Sequence, residues 1–339
     1  MDTTEREKKP LLTLSIAAYN VEKYIEKCIL SGILDGEDRE KIEIIVVNDG
    51  STDGTLKKIK NISDNYPNII RIIDKKNGGY GSTINESIKL AEGKYFKLLD
   101  GDDWLDTAEL KNLVNELENI DEDMLLMDYK KIYMERDNII EEERCGINYL
   151  IKKEVYSYQH IKNIYITNPG SAIKTTLLKN EEIKLQENCF YTDHMFIFFC
   201  IAHSKSFKYI DNAMYQYRLG RDGQSVSLQG LLKHTDDTLK VLNAEFDYLR
   251  KIKLEPEQLD IIHDYMAILA KDVIVCNLLH NCTPNRKQQI KSIDKTIKQK
   301  NYYIYKKMEK INRSIKILRS TKYIMYKLCH YNELRKCMK

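Results

Sequence analysis

Acidic side chains gather in two short segments of this 339-residue chain, Asn48-Asp49-Gly50-Ser51-Thr52-Asp53-Gly54 and Asp100-Gly101-Asp102-Asp103-Trp104. Asp53 has a structural reading as the cap of a helix starting near Thr55, and the glycines suit tight turns. Capping does not explain three carboxylates between Asp100 and Asp103, because adjacent like charges repel unless a cation neutralises them. A hard divalent cation with oxygen ligands is the natural partner. Mg2+ and Mn2+ take one or two carboxylates plus substrate phosphates, which leaves room for a nucleotide diphosphate.

Each acidic segment follows an apolar run. Residues 11–18, 42–47, 69–73 and 95–99 read as strands, and residues 21–30, 55–62, 82–90 and 107–117 place apolar side chains at helical steps of three and four. This alternation predicts an α/β fold with a mostly parallel, Rossmann-like sheet between helices. Ligands of such sheets sit beyond the carboxyl ends of the strands, where Tyr19, Asn20 and both acidic segments fall. Residues 206–217 read as a further strand and 194–203 as an aromatic-rich helix. From about Gly230 the chain reads as helical, broken at Pro284.

Composition narrows the class. With 54 basic and 51 acidic residues, a net charge of +3 and 42% hydrophobic residues, the chain is globular rather than disordered or collagen-like. Its longest apolar run, residues 195–202, is far short of the roughly 20 residues that a spanning helix needs. The charged N-terminus, MDTTEREKKP, lacks the apolar core of a signal peptide, so a cytoplasmic location is expected. The 8 cysteines contain no Cys-x-x-Cys pair, which argues for reduced, packing thiols rather than a zinc cage or a disulfide framework. Gly79-Tyr80-Gly81 is not a dinucleotide fingerprint, because Ile84 stands at the third glycine position and the segment follows the third strand, not the first.

Five segments in order, LSIAAYNVEKYIEKCILS (14–31), IIVVNDGSTDGT (44–55), NGGYGSTINESIKLAEGKYFKLLDGDDW (77–104), CFYTDHMF (189–196) and YQYRLGRDGQSVS (215–227), resemble the family 2 glycosyltransferases of GT-A fold. The resemblance covers roughly the first two-thirds of the chain. It implies a GT-A nucleotide-diphospho-sugar transferase domain over residues 1–229 and a helical C-terminal region over 230–339. It further implies that Tyr19 and Asn20 border the nucleotide pocket and that Asp49 holds the uracil or ribose. Asp100 and Asp102 look like the DxD pair, with Asp102 holding a Mn2+ or Mg2+ that neutralises the diphosphate. Asp193 stands where the family carries its catalytic base, which takes a proton from the acceptor hydroxyl as that oxygen attacks the anomeric carbon and inverts it. An ordinary N-cap is the other reading of Asp193. His194 is either a metal or acceptor neighbour or a helix-start histidine with a structural hydrogen bond.

Residues 217–227 resemble the mobile loop that closes over the diphosphate, with Arg218 and Arg221 facing phosphate oxygens and Gln224, Ser225 and Ser227 supplying hydrogen bonds. Trp104 reads either as a stacking wall for sugar or acceptor or as core. One segment departs from the family: Thr83-Ile84-Asn85 stands where many members carry an Ala-Arg-Asn triplet, so the arginine's contact is absent or supplied by another residue such as Lys75 or Lys76.

Charge is unevenly distributed. Residues 286–339 hold 17 Lys and Arg against 3 Asp and Glu, a local +14, which leaves −11 for the first 285 residues. Ile290, Ile293, Ile297, Ile304, Met308, Ile311, Ile315, Leu318 and Met325 recur there at helical spacing. The stripe either packs on the protein or attaches to an anionic membrane surface. No RNA- or DNA-binding motif accompanies it, so nucleic acid is not an expected partner. The expected activity is transfer of a sugar, from a nucleotide-sugar such as a UDP-sugar, to a glycan or lipid-linked acceptor at the inner face of the membrane. A nucleotidyltransferase and a non-catalytic nucleotide-sugar scaffold are the alternatives.

Overall fold

A computed structural model of the chain describes residues 9–135, 138–145, 155–161, 164–180, 183–220, 224 and 227–337. They divide into two compact units, Met1–Asn188 with Phe199–Arg221, and Cys189–Phe198 with Asp222–Lys339.

The first unit is built on β1 (Leu12–Ala18), β2 (Ile42–Asp49), β3 (Ile70–Lys75) and β4 (Tyr95–Asp100), which pair in parallel in the order β3-β2-β1-β4. Every residue of β2 and nearly all of β1 and β4 are buried, as continuous apolar runs require when helices cover both faces. The alternating helices are α1 (Ile25–Ser31), α2 (Thr55–Ser63), α3 (Tyr80–Leu90) and α4 (Thr107–Leu117). Helix α1 starts four residues later than the apolar spacing predicts. The backbone of residues 21–22 is held instead by the loop after β2, with Val21 N–H donating to Thr55 Oγ1 at 2.9 Å and Glu22 N–H to Asp53 Oδ2 at 3.2 Å.

Beyond β4 the sheet continues through β5 (Trp104–Leu105), β6 (Met124–Glu135), β7 (Asn138–Cys145), β8 (Val155–Tyr156), β9 (Ser171–Lys174) and β10 (Phe207–Leu219) in the order β4-β9-β6-β10-β5. β9 runs antiparallel to β4 and β6, while β6 and β10 share the direction of β1–β4. Six of the ten described strands therefore run one way, which is the mostly parallel sheet expected. Short α5 (Thr175–Asn180) follows β9, and the boundary between the units falls inside α6 (Thr192–His203).

The second unit is helical: α7 (Leu228–Lys233), α8 (Thr235–Leu249), α9 (Pro256–Leu279), α10 (Pro284–Lys300), α11 (Tyr302–Ile311), α12 (Arg313–Ser320) and α13 (Tyr326–Cys337). Pro284 opens α10, where its missing N–H costs nothing, and Thr283, Asn301 and Asn312 cap α10, α11 and α12. The stripe from Ile290 to Leu318 is buried except Ile311, and Met325 is also exposed, so the packing reading describes most of it. Among the described residues no helix is long and apolar enough to cross a membrane.

Candidate active site

The carboxyl ends of β1, β2 and β4 carry the candidate residues of the first unit. After β1, Tyr19 is 52% exposed, and Asn20 takes a left-handed φ of 51°. Its Oδ1 accepts from Thr52 N–H at 2.8 Å, tying the loop after β1 to the loop after β2. Asp49, the last residue of β2, is buried. Its Oδ1 accepts from Lys75 Nζ at 2.7 Å and Gly78 N–H at 2.9 Å, and its Oδ2 from Gly79 N–H at 2.9 Å. Asp49 thus braces the turn that leads into α3. Lys75 is equally occupied, also donating to Lys76 O and Ser82 Oγ at 2.8 Å each. Gly50 follows with φ 72°, where an added Cβ would stand 2.8 Å from Asn77 N.

Asp53 is structural. It accepts from Thr55 N–H at 3.0 Å and from Glu22 N–H, one residue ahead of the Gly54 N-cap position. Burial raises its carboxyl pKa, but the hydrogen bonds from Thr55 and Glu22 outweigh that and hold it below the ordinary value. In the departing triplet, Thr83, Ile84 and Asn85 are all buried in α3, and Asn85 exchanges hydrogen bonds with the Leu185 backbone at 3.1 and 2.9 Å.

The three carboxylates after β4 separate into different environments. Gly101 brings this loop against β1, donating to Ala17 O at 3.0 Å where a Cβ would lie 2.7 Å from that oxygen. Asp103 turns inward and is 1% exposed, accepting from Tyr215 Oη at 2.6 Å and from Arg218 N–H at 2.8 Å. Burial, then the charges of Asp102 and Asp100, push its carboxyl pKa well above the ordinary range. Asp100 and Asp102 stay half-exposed, and Tyr80 Oη donates to Asp100 Oδ1 at 2.5 Å. Tyr215 is fully buried, and burial with the charges of Asp100 and Asp103 keeps its phenol protonated as a donor.

Arg218 does not lie on a loop. It belongs to β10, is buried, and donates from Nε to Asp102 O at 2.7 Å, with its guanidinium 4.7 Å from the ring centroids of both Tyr24 and Trp104. The other side of the Trp104 environment is Lys27, whose Nζ lies 3.5 Å from the indole centroid. Trp104 is itself buried and paired into the sheet opposite Gln216, so the core reading fits it better than an open wall. Below the carboxylates, Lys97 is fully buried and donates to Asn168 O, Pro169 O and Ser171 O at 3.2, 2.9 and 3.0 Å. Burial pulls its pKa down to about 7, opposed by Asp100.

These residues suit a donor-completed cation site rather than a protein cage. No cluster of three His, Cys, Asp or Glu side chains arranged to hold a metal occurs among the described residues. With Asp103 committed to Tyr215 and Arg218, only Asp100 and Asp102 are presented at this edge. One or two carboxylates, with phosphate and water filling the other positions, is how Mg2+ is commonly held.

In the second unit, Asp193 occupies the first turn of α6 and its side chain is exposed. Desolvation by the surrounding protein atoms raises its pKa, against the opposing pull of His194 and of the 193 and 194 N–H groups. His194 points the other way and is buried. Its Nδ1 lies 2.7 Å from Oε1 of the fully buried Glu245, and its ring stacks on Tyr265 with centroids 4.1 Å apart. The structural reading of His194 is therefore the observed one. Gln224 is buried, and its carbonyl accepts from Ser227 Oγ at 2.7 Å, while Ser227 caps α7 through Gly230 N–H. Arg221 and Ser225 lie outside the described residues.

Sequence reasoning missed Tyr80, Tyr215, Lys97 and Glu245. Only Lys97 left a signal, a lysine inside the apolar run of β4; Tyr80 and Tyr215 meet Asp100 and Asp103, and Glu245 meets His194, through contacts that local spacing does not show.

Comparison with known proteins adds the lineage. Residues 13–204 match the family model described as glycosyl transferase family 2. An uncharacterized glycosyltransferase of Haemophilus influenzae is 29% identical over 73% of this chain and 73% of its own length. The minor teichoic acid biosynthesis protein GgaB of Bacillus subtilis is 32% identical over 61% of this chain, which spans only 23% of GgaB. The crystal structure of residues 1–349 of Staphylococcus aureus TarS in complex with UDP-GlcNAc superposes with a TM-score of 0.54 at 20% identity, covering 91% of each chain. That likeness places the fold among GT-A architectures. The family model spans more than half of the residues, and the chain belongs to the family 2 glycosyltransferases.

Proposed function

We propose that this glycosyltransferase is inverting and metal-dependent. In this reading it moves a sugar from a UDP-sugar to a hydroxyl of a glycan or lipid-linked acceptor, in assembly of a cell-surface polysaccharide or teichoic-acid-like polymer. The observation that carries the reading is the separation of the carboxylates after β4. Asp103 is locked inward by Tyr215 and Arg218, while Asp100 and Asp102 remain presented where ligands of parallel sheets bind. The names of GgaB, a teichoic acid biosynthesis protein, and of the TarS complex with UDP-GlcNAc support the donor and the pathway class.

In this reading the exposed ring of Tyr19 and the Asn20 loop border the nucleotide, and Asp49 sets the turn against which its base and ribose lie. Asp102, with Asp100 beside it, would hold Mn2+ or Mg2+, which supplies neutralisation of the departing diphosphate. Arg218 fixes the Asp102 backbone, and Arg221, Gln224 and Ser225 belong to the segment that meets the diphosphate. Asp193 accepts the acceptor proton, for which its raised pKa makes it a stronger base than an ordinary carboxylate. The setting is the inner face of the cytoplasmic membrane.

The test is a panel of UDP-, GDP- and dTDP-sugars with Mn2+ or Mg2+, read by thermal shift and by release of nucleoside diphosphate. Stabilisation and turnover by a UDP-sugar are expected. Pyrophosphate release from nucleoside triphosphates, or donor binding without turnover under any acceptor condition, would overturn the proposal.

A further inference from the structure

The apolar stripe visible in the sequence from Ile290 onward is consumed by packing, yet a different apolar set faces solvent at the end of the second unit. Ile324 is 78% exposed, Tyr331 65% and Leu328 43%. Leu328 and Tyr331 are three residues apart on one face of α13, and Ile324 lies in the turn that leads into it. Lys322 and Tyr323, with left-handed φ of 48° and 66°, make the turn that presents Ile324. Side chains of this size lose free energy in water, and clustered exposure marks an interaction surface.

The same segment carries more positive charge than its own acids balance. All three acids of residues 286–339 are already used within that segment. Asp294 holds Arg319 at 2.6 Å, Glu309 holds Lys306 at 2.8 Å and Arg319 at 3.4 Å, and Glu333 holds Lys336 at 2.7 Å. Lys310, Arg313 and Lys316 line a groove of about 740 Å3 together with Ile311 and Ile317. Among the described residues these three cations form no ion pair, although Glu309 stands at the same groove.

We infer that the C-terminal helices seat this chain on an anionic bilayer, through Lys310, Arg313 and Lys316 and through Ile324, Leu328 and Tyr331. The cations meet lipid phosphates, and the apolar side chains enter the boundary between headgroups and acyl chains. A second copy of the chain suits the surface poorly, because two like faces of a segment carrying +14 would repel. The inference rests on the proposed lipid-linked acceptor for its purpose only. The binding itself does not depend on the transfer chemistry.

The experiment sediments the full chain with vesicles of phosphatidylcholine alone and of phosphatidylcholine with phosphatidylglycerol. Wild type is expected to pellet only with the anionic vesicles and to be released by salt. The triple variant K310E/R313E/K316E is expected to bind about a hundredfold more weakly, as the loss of three cations near an anionic surface implies. The double variant I324E/L328E should also bind more weakly, with the residual binding more easily released by salt. Urea unfolding confirms that both variants, altered only at exposed positions, remain folded. Donor hydrolysis without vesicles, in both variants, should match wild type. Equal vesicle binding by wild type and the triple variant, equal binding to neutral vesicles, or concentration-dependent self-association lost in the variants would each overturn the inference. A chain that binds vesicles but turns over no donor would contradict the proposed function and leave this surface standing.

Discussion

The Tyr215 hydroxyl donates to Asp103 Oδ2 at 2.6 Å, joining β10 to the loop after β4 across 112 residues of sequence. The same hydroxyl accepts from Asp100 N–H at 3.3 Å, so one phenol orders both ends of the acidic segment. Tyr215→Phe should therefore leave a buried carboxylate oxygen and a backbone N–H short of partners. A loss of about 1–3 kcal/mol in urea unfolding is expected, with reduced turnover because Asp100 and Asp102 are no longer held apart from Asp103.

Asp103 is a buried acceptor for Tyr215 and Arg218, whereas its neighbour Asp102 is the proposed metal ligand. Asp102→Ala should leave stability near that of wild type and remove turnover by about a hundredfold or more, since metal neutralisation of a leaving diphosphate is worth several kcal/mol. Asp103→Ala should instead lower stability, by leaving Tyr215 and Arg218 N–H without their acceptor. Steady-state kinetics over a range of Mn2+ concentrations, beside urea unfolding of the same two proteins, separates the cases. Asp102→Ala should lose its response to Mn2+.

The pH dependence follows from the raised pKa of Asp193. A general base works only when ionised, so kcat/KM should fall as the pH drops through the raised value. The acid limb should thus lie above about 4, the ordinary aspartate value. The sign for stability is opposite. The folded chain binds this proton more tightly than the unfolded chain, so this group's contribution to stability declines as the pH rises between the two pKa values. A kcat/KM profile with its acid limb at the ordinary aspartate pKa would contradict the assignment.

His194 and Glu245 form a buried pair at the start of α6, 2.7 Å apart. Glu245→Gln can keep one hydrogen bond to the imidazole and should cost less than Glu245→Ala, which strands a buried ring nitrogen at about 1–3 kcal/mol. Thermal unfolding of the two variants ranks them. Equal stabilities would show that the hydrogen bond to the imidazole contributes nothing measurable.

The sheet was legible where the chain obeys one simple rule. Residues buried on both faces give continuous apolar runs, and β1, β2 and β4 lie within two residues of where those runs predict them; β3, a partly exposed edge strand, lies as close to its run of isoleucines. The strand β9, four residues long, interrupts the parallel order between β4 and β6, and it is too short to carry a period of its own. Asp49, Asp100 and Asp102 were singled out because strand ends are where such sheets bind ligands, and the structure places them at those ends. Which of Asp102 and Asp103 faces outward was not legible, because that depends on Tyr215 and Arg218 arriving from β10. Arg218 was read as loop for the related reason that its strand is stabilised by pairing with β6, not by local sequence. In the tail, spacing revealed the helices and their apolar side but not what they pack on, so the exposed Ile311 and Met325 read like the buried rest of the stripe.

The central claim, sugar transfer with Asp193 as the base, is tested most directly by single-turnover release of UDP from the preferred UDP-sugar in wild type and Asp193→Asn. The amide keeps size and polarity but cannot take the proton. Release slower by about 100-fold to 10,000-fold is expected, with donor affinity unchanged, as removal of a general base implies. Release at the wild-type rate by Asp193→Asn would contradict the account.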